Sequence, residues 1–276
     1  MTEDAKLTTL EERLRALGSV VVCYSGGVDS AFVLLVAHRV LGARAVGLTA
    51  VSPSLAPREK DDAIAVAARI GARHELVETH EIDDPSYAKN PENRCFFCKS
   101  ELYRVAHAWA KEHGFSAIVN GTNVDDLGDY RPGNDAAVQA QVTSPLVDAG
   151  MTKADVRKHA LALGLSIWDK PAAACLSSRL PYGTSVTHER LQQIGGFEAD
   201  LRDLGFRQVR VRWHERVARI EVEPSEIPLA AEEKTRDAIV AAGKRHGFAY
   251  VTLDLVGYRK GSHNELLVGK ALRLVS

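Results

Sequence analysis

Ser25-Gly26-Gly27-Val28-Asp29-Ser30 follows the apolar run Val20-Val21-Val22-Cys23-Tyr24 and precedes Ala31-Phe32-Val33-Leu34-Leu35-Val36-Ala37. The order reads as strand, glycine turn, helix. Two adjacent glycines let the backbone turn its N–H groups inward as an anion nest, and the helix that starts there adds unsatisfied donors and the positive end of its dipole. A polyphosphate suits such a turn. It is not the G-x-x-x-x-G-K-[ST] loop of phosphate-transferring nucleotidases, because no lysine follows to reach a γ-phosphate. From these residues alone an ordinary glycine-containing strand-to-helix turn also stays open.

The whole chain limits what this turn can belong to. Its 276 residues suit one large domain or two modest ones with ample core. Hydrophobic content of 45% and charged content of 26% are those of a globular protein in water. No apolar run approaches the roughly 18 residues of a membrane span, and Met1-Thr2-Glu3-Asp4 lacks the basic and apolar parts of a signal peptide. The expectation is a cytoplasmic protein with no membrane partner. Four cysteines beside ten histidines do not make a secreted disulfide framework, which leaves free thiols, metal binding or catalysis. A net charge of −1 with a pI near 6.8 argues against a broad nucleic-acid footprint, while a local basic patch stays open.

Strand-like and helical patterns alternate after the glycine turn. Ala45–Val51 reads as a strand, about 58–70 as a helix, and 74–77 as a strand. A helix over about 99–113 then precedes Ala117-Ile118-Val119-Asn120, with another over about 153–163. Repeated βαβ units predict an α/β fold with a doubly wound parallel sheet. Ligands of such sheets lie outside the strands' carboxyl ends, where Ser25, Thr49–Ser54 and Asn120–Asp129 fall. Beyond Lys170-Pro171 the rhythm changes to a loop, a helix over 189–204, strands over 208–213 and 217–223, a helix over 232–246 and a strand over 249–255. This predicts a second, smaller α+β domain, with domains 1–170 and 171–276.

Three further stretches carry chemistry. In Asn120-Gly121-Thr122-Asn123-Val124-Asp125-Asp126, followed by Gly128-Asp129-Tyr130-Arg131-Pro132-Gly133, carboxylates at a strand's end can hold Mg²⁺ and small residues let a ribose approach, although a solvated Asx turn reads equally from composition. Lys170-Pro171-Ala172-Ala173-Ala174-Cys175-Leu176-Ser177-Ser178-Arg179 holds a cysteine in a small-residue loop four positions before an arginine, whose charge favours a thiolate. An inert buried thiol is the alternative there. Arg210 and Arg212, two apart on a strand, share one face while Val209, Val211 and Trp213 share the other. Paired guanidiniums suit a phosphate; a cross-strand ladder with Glu221 and Glu223 is the competing reading. Cys95-Phe96-Phe97-Cys98 is half a zinc site with no second pair, so packing at a helix start is expected for both. Cys23 belongs to the core, and His188, His214 and His263 lack ligand spacing.

Taken together, these motifs resemble known families. S-G-G-x-D-S resembles the pyrophosphate loop of the PP-loop ATPases, adenine nucleotide alpha hydrolase-like proteins that cut ATP between the α and β phosphates. Adding G-T-N-x-D-D with G-D-Y-R-P-G, K-P-x-x-A-C-L-x-S-R and V-R-V-R-W-H-E-R-V-A-R-I-E-V, the chain is similar to the ATP-dependent sacrificial sulfur transferases of nickel-pincer cofactor synthesis, the LarE family. That resemblance implies adenylylation of pyridinium-3,5-biscarboxylic acid mononucleotide and attack by Cys175 on the acyl adenylate, leaving a thiocarboxylate on the product and dehydroalanine in the protein. It implies ATP and Mg²⁺ as cofactors. The nucleotide would be held by Ser25, Gly26, Gly27, Asp29, Ser30, Thr49, Gly121, Thr122 and Asn123, and the metal by Asp29, Asp125, Asp126 and Glu221. It also implies Ser178 and Arg179 beside Cys175, Arg210 and Arg212 on the substrate phosphate, and a homo-oligomer. An iron–sulfur variant is disfavoured by Ser177 and Ser178 beside Cys175. Competing classes keep the loop and change the acceptor: a synthetase or amidotransferase of the NAD or GMP type, a tRNA thiolation enzyme, or a non-catalytic nucleotide sensor.

Overall fold

The computed structural model describes residues 3–128, 132–171 and 174–259. Asp129, Tyr130 and Arg131 of the second motif, Ala172 and Ala173 of the third, and His263 lie outside them. The chain divides into two compact units, Met1–Tyr87 with Glu92–Ala173, and Ala88–Pro91 with Ala174–Ser276. In order the helices are α1 (Glu3–Leu17), α2 (Val28–Leu41), α3 (Pro57–Ile70), α4 (Pro85–Ala88), α5 (Arg94–Glu112), α6 (Pro132–Gln139), α7 (Pro145–Asp148), α8 (Lys153–Ala162), α9 (His188–Asp203), α10 (Ile227–Ala231) and α11 (Glu233–Arg245). The strands are β1 (Val20–Cys23), β2 (Ala45–Val51), β3 (Arg73–Glu78), β4 (Ala117–Val119), β5 (Val209–His214), β6 (Val217–Val222) and β7 (Tyr250–Leu253).

The first unit is the expected α/β fold. Its sheet has the order β3-β2-β1-β4, all parallel. Alternation along β1 assigns its two faces: Val20 and Val22 pack with residues of α1, α2, α3 and α8, whereas Val21 and Cys23 pack with residues of α5 and α6. Helix α2 is apolar almost all round, with Phe32, Val33 and Leu34 fully buried, and each such side chain contributes about 1.5–3 kcal/mol by leaving water. Because β2 and β3 continue to one side of β1 and β4 lies on the other, the winding reverses at β1. The turns after β1 and β4 therefore flank the crevice where such sheets bind ligands.

Two glycines make this crevice possible. Gly26 has φ +71°, and a Cβ there would stand 2.9 Å from Ala63 Cβ of α3. A Cβ on Gly121 would meet Ser30 N at 2.7 Å, Ser30 Cα at 2.9 Å and Asp29 C at 3.0 Å. The loop after β4 thus lies directly on the backbone of the glycine turn. Helix α5 starts at Arg94, five residues before the predicted Lys99, and α1, whose Leu7, Leu10, Leu14 and Leu17 recur at helical spacing, was not read from the sequence.

The second unit carries the three-stranded sheet β5-β6-β7, antiparallel between β5 and β6 and parallel between β6 and β7. Its α-β-β-α-β order matches the sequence reading. The excursion Ala88–Pro91 was not foreseen. Asn90, fully buried with φ 55°, donates from Nδ2 to the Pro181 carbonyl at 2.8 Å and accepts from Gly183 N at 2.9 Å.

Gly121→Ala should lower stability by about 1–3 kcal/mol, because every atom that the new methyl meets is backbone and neither segment yields easily. Urea denaturation measures it. An unchanged midpoint would mean that the two turns do not touch as described.

Candidate functional site

The glycine turn is held open from within. Ser30 Oγ accepts from Ser25 N and pairs with Ser25 Oγ, both at 3.1 Å, and donates to the Gly27 carbonyl at 3.1 Å. Gly27 caps α2 without a side chain, so no protein oxygen closes that helix start from the N-cap position. Asp29 points toward the loop after β4 and pairs with Lys153 Nζ. Its other oxygen, Oδ1, is buried without a hydrogen bond. Burial pushes the Asp29 carboxyl up, and the nearby Asp126 carboxylate pushes the same way against Lys153.

The loop after β4 is ordered by its own Asx bonds. Asn123 Oδ1 accepts from Asp125 N at 3.0 Å, Asp126 Oδ2 accepts from Asn123 N at 3.1 Å, and Asn120 Oδ1 accepts from Thr122 N at 3.0 Å. Asp125 Oδ2 accepts from Lys153 N at 2.8 Å, at the start of α8. Ser25, Gly26, Gly27, Asp29, Ser30, Gly121, Thr122, Asn123, Asp125 and Asp126 therefore converge on one crevice. A buried, unsatisfied carboxylate oxygen beside a second carboxylate fits a hard divalent cation with oxygen ligands, so Asp29 and Asp126 suit Mg²⁺.

Two predicted residues are engaged within their own sheets. Thr49 lies inside β2, 3% exposed, and its hydroxyl donates to the Tyr24 carbonyl at 2.7 Å and meets His74 Nε2 at 2.8 Å. It ties β1 to β2 and β3. Glu221 belongs to the second unit, where both oxygens accept from Arg212, at 2.9 and 2.8 Å.

In the second unit Cys175 is exposed, at the start of the short turn 176–179. The main chain around it is gripped from below. Arg179 Nη1 donates to the Ala174 carbonyl at 2.7 Å, the Cys175 carbonyl at 2.9 Å and Ser178 Oγ at 3.0 Å. Its other two nitrogens fork onto Glu198 at 2.8 and 3.0 Å. Arg212 repeats the device, forking onto Glu221 and donating from Nη1 to the Ser178 carbonyl at 2.9 Å. The Arg179 guanidinium is 3% exposed and serves the backbone of the turn, the carbonyl of Cys175 itself included. Ser178 Oγ likewise donates to the Cys175 carbonyl, at 2.8 Å.

Burial alone would raise the Glu198 carboxyl, but the Arg179 charge and hydrogen bonds outweigh it and hold it low. Arg210 is buried too, with its guanidinium 5.2 Å above the Tyr258 ring. Burial and repulsion from Arg179 bring it down to about 10. Arg210 stands opposite Glu221 in the strand register, yet the side-chain fork is diagonal, from Arg212. Arg210 and Arg212 are both buried, and of the cross-strand ladder considered for them the Arg212–Glu221 pair is present. Glu223 lies past β6, at the start of a 3₁₀ turn.

Cys23 is buried, which pushes its thiol up to about 12. Cys98 is half-buried and Cys95 exposed, both in the first turn and a half of α5, so Cys95 is not packed as expected. An open cavity of about 710 Å³ in the second unit, lined by Thr184, Arg190, Trp213 and His214 among others, includes none of the predicted site residues. Among the described residues no group of three metal-ligating side chains is formed, and no helix is long and apolar enough to cross a membrane. Lys153, Lys170 and Glu198 were missed by the sequence reading. Lys153 had one usable signal, the Thr152-x-x-Asp155 capping box that fixes the start of α8 beside the crevice.

A parallel sheet whose first turn is a glycine nest, faced across the switch point by carboxylates, defines a PP-loop nucleotide-binding domain. A family model for NAD synthase matches residues 6–106. The chain is 47% identical over 264 residues to an uncharacterized protein of Synechocystis sp., covering 96% of this chain and 98% of that one. It is 37% identical over 265 residues to pyridinium-3,5-bisthiocarboxylic acid mononucleotide synthase of Lactiplantibacillus plantarum, covering 95% of each. An uncharacterized protein of Methanocaldococcus jannaschii is 26% identical over 240 residues, 87% of this chain and 90% of that one. The chain belongs to the family of the pyridinium-3,5-bisthiocarboxylic acid mononucleotide synthase.

Glu198→Ala should cost about 3–5 kcal/mol, the penalty for leaving a buried arginine without its partner. Guanidinium denaturation checks this. A loss below about 1 kcal/mol would show that the fork is not formed.

Proposed function

We propose that this protein adenylylates a carboxylate of pyridinium-3,5-biscarboxylic acid mononucleotide and transfers the sulfur of Cys175 to it, giving a thiocarboxylate. The observation that carries this reading is an exposed cysteine on a turn whose carbonyls are fixed by two buried arginine forks, in a chain with a pyrophosphate-type loop. Membership of the synthase family supports the acceptor. Two such transfers give the bisthiocarboxylate named for the plantarum relative.

A carboxylate is a poor electrophile, so the first step attaches AMP to it and releases pyrophosphate from ATP. The glycine nest and the start of α2 receive the phosphates, with Ser25 and Ser30 shaping the turn and Lys153 supplying a cation beside Asp29. Mg²⁺ held by Asp29 and Asp126 would neutralise charge on the departing pyrophosphate. The guanidiniums of Arg210 and Arg212, both buried, would attract the anionic mononucleotide through their charge. The Cys175 sulfur then attacks the acyl carbon and AMP leaves, forming a thioester. Removal of the Cys175 Cα proton with cleavage of Cβ–S frees the thiocarboxylate and leaves dehydroalanine, so each chain serves once. Cytoplasmic location and a homo-oligomeric state complete the proposal.

Incubation with ATP, Mg²⁺ and the dicarboxylate should lower the protein mass by one H₂S, with dehydroalanine mapping to position 175. Cys175→Ala should still release pyrophosphate and form no thiocarboxylate, while Cys95→Ala and Cys98→Ala keep the single turnover. Repeated turnover with Cys175 intact and no added thiol would overturn the sacrificial step and point to a persulfide donor. Pyrophosphate release only with a nicotinate dinucleotide, xanthylate or tRNA would transfer the protein to the competing classes.

A further inference from the structure

Lys170 precedes the cysteine turn and is not used by the reaction as described. Its side chain, 17% exposed, reaches back to α3, where Nζ meets Glu59 Oε2 at 3.0 Å and Asp62 Oδ2 at 3.1 Å. These carboxylates lie three apart on one helix face, so a single ammonium bridges both. Helix α3 is itself registered on the nucleotide turn. Ala63, adjacent to Asp62, is the residue against which Gly26 packs, and its carbonyl accepts from Tyr24 Oη at 3.0 Å. Burial disfavours the Lys170 ammonium, but Glu59 and Asp62 outweigh this and keep it charged.

We infer that Lys170 is a positioning residue for sulfur transfer: it pins the strand of chain leading to Cys175 onto α3, the helix that backs the pyrophosphate loop. Cys175 lies only five positions beyond Lys170, so a fully extended chain carries the cysteine Cα no further than about 18 Å from that residue's Cα. The anchor shortens the search of the thiol for the acyl carbon and limits exposure of the adenylate to water. Adenylylation itself uses groups on the glycine turn and the loop after β4, so it does not need Lys170. This inference rests on the proposed function, and the two fail differently.

The experiment measures pyrophosphate and thiocarboxylate together in a single turnover of the full chain with ATP, Mg²⁺ and the pyridinium dicarboxylate mononucleotide. In Lys170→Met, pyrophosphate release should stay within about twofold while thiocarboxylate forms at least about tenfold more slowly, as expected for a misplaced nucleophile. The difference appears as hydrolysis: water attacks the acyl carbon, AMP leaves and the carboxylate returns. Lys170→Arg, which keeps the charge and spans both carboxylates, should restore the ratio of the two products.

The double variant Glu59→Gln with Asp62→Asn should uncouple the products as Lys170→Met does, although it removes charge of the opposite sign. It also serves if Lys170→Met does not fold. An unchanged product ratio in both variants, or a parallel fall of both products, would overturn the inference. So would ATP affinities shifting in opposite directions at constant ratio, which would assign these groups to the field around the nucleotide. If the unmodified protein releases no pyrophosphate with this acceptor, the proposed function fails instead.

Discussion

The fork between Arg179 and Glu198 is the constraint on which the cysteine-bearing unit depends. Both groups are nearly or fully buried, and a carboxylate in that position survives only with compensation that replaces its water. The compensation is complete: Glu198 accepts from two nitrogens of Arg179, from Arg202 and from Val211 N. Arg179 has one nitrogen left, and the main chain at Ala174 and Cys175 takes it. The ion pair therefore does more than stabilise α9 against β5. It converts the direction of a buried guanidinium into the conformation of the turn that presents the thiol. Arg212, forked by Glu221, repeats this one turn further on.

The nucleotide-binding unit solves the opposite problem. Its carboxylates are gathered at the end of the sheet with less compensation than those of the second unit, since Asp29 keeps one oxygen buried and unpaired. A folded chain tolerates such a group at a cost of about 1–3 kcal/mol. The same arrangement would become favourable if a cation and a polyphosphate entered together, as proposed above, because each would neutralise the other. Lys153 and Asp29 hold one another meanwhile.

Much of this was legible in the sequence, for identifiable reasons. Strand β1 and helix α2 adjoin a turn whose residues are fixed by backbone chemistry, so neither tertiary context nor register was needed to place the nest. The α-β-β-α-β order was readable because β5 and β6 alternate and α9 and α11 are long. Thr49 was grouped with the strand-end residues although β2 was itself read as running to Val51; two residues inside that end, its hydroxyl serves the Tyr24 carbonyl and His74. The nearness of Arg179 to Cys175 was legible, but its fork onto Glu198, a residue 19 positions away that carries no local signal, was not. The pairings of Lys170 and Lys153 were not legible for the same reason: their partners, Glu59, Asp62 and Asp29, are more than a hundred residues away in sequence. The excursion Ala88–Pro91 depends on Asn90 in a left-handed conformation, which composition does not announce.

The way the turn is held also bears on what a spent chain would look like. The bonds that Arg179 and Arg212 send to residues 174–179 end on a carbonyl oxygen of Ala174, Cys175 or Ser178, or on the Ser178 hydroxyl. None of these ends on the cysteine sulfur. Loss of that sulfur by elimination flattens Cα of residue 175 and leaves each of those carbonyls in place. The forks to Glu198 and Glu221 are untouched as well, so the buried charges stay compensated. Cys175 is exposed and contributes little to the core, so its removal also leaves no cavity of the kind that destabilises a packed interior. The sulfur that the proposed reaction would consume is thus distinct from the buried forks that keep the unit folded, and a spent chain should unfold at nearly the same denaturant concentration as the fresh one.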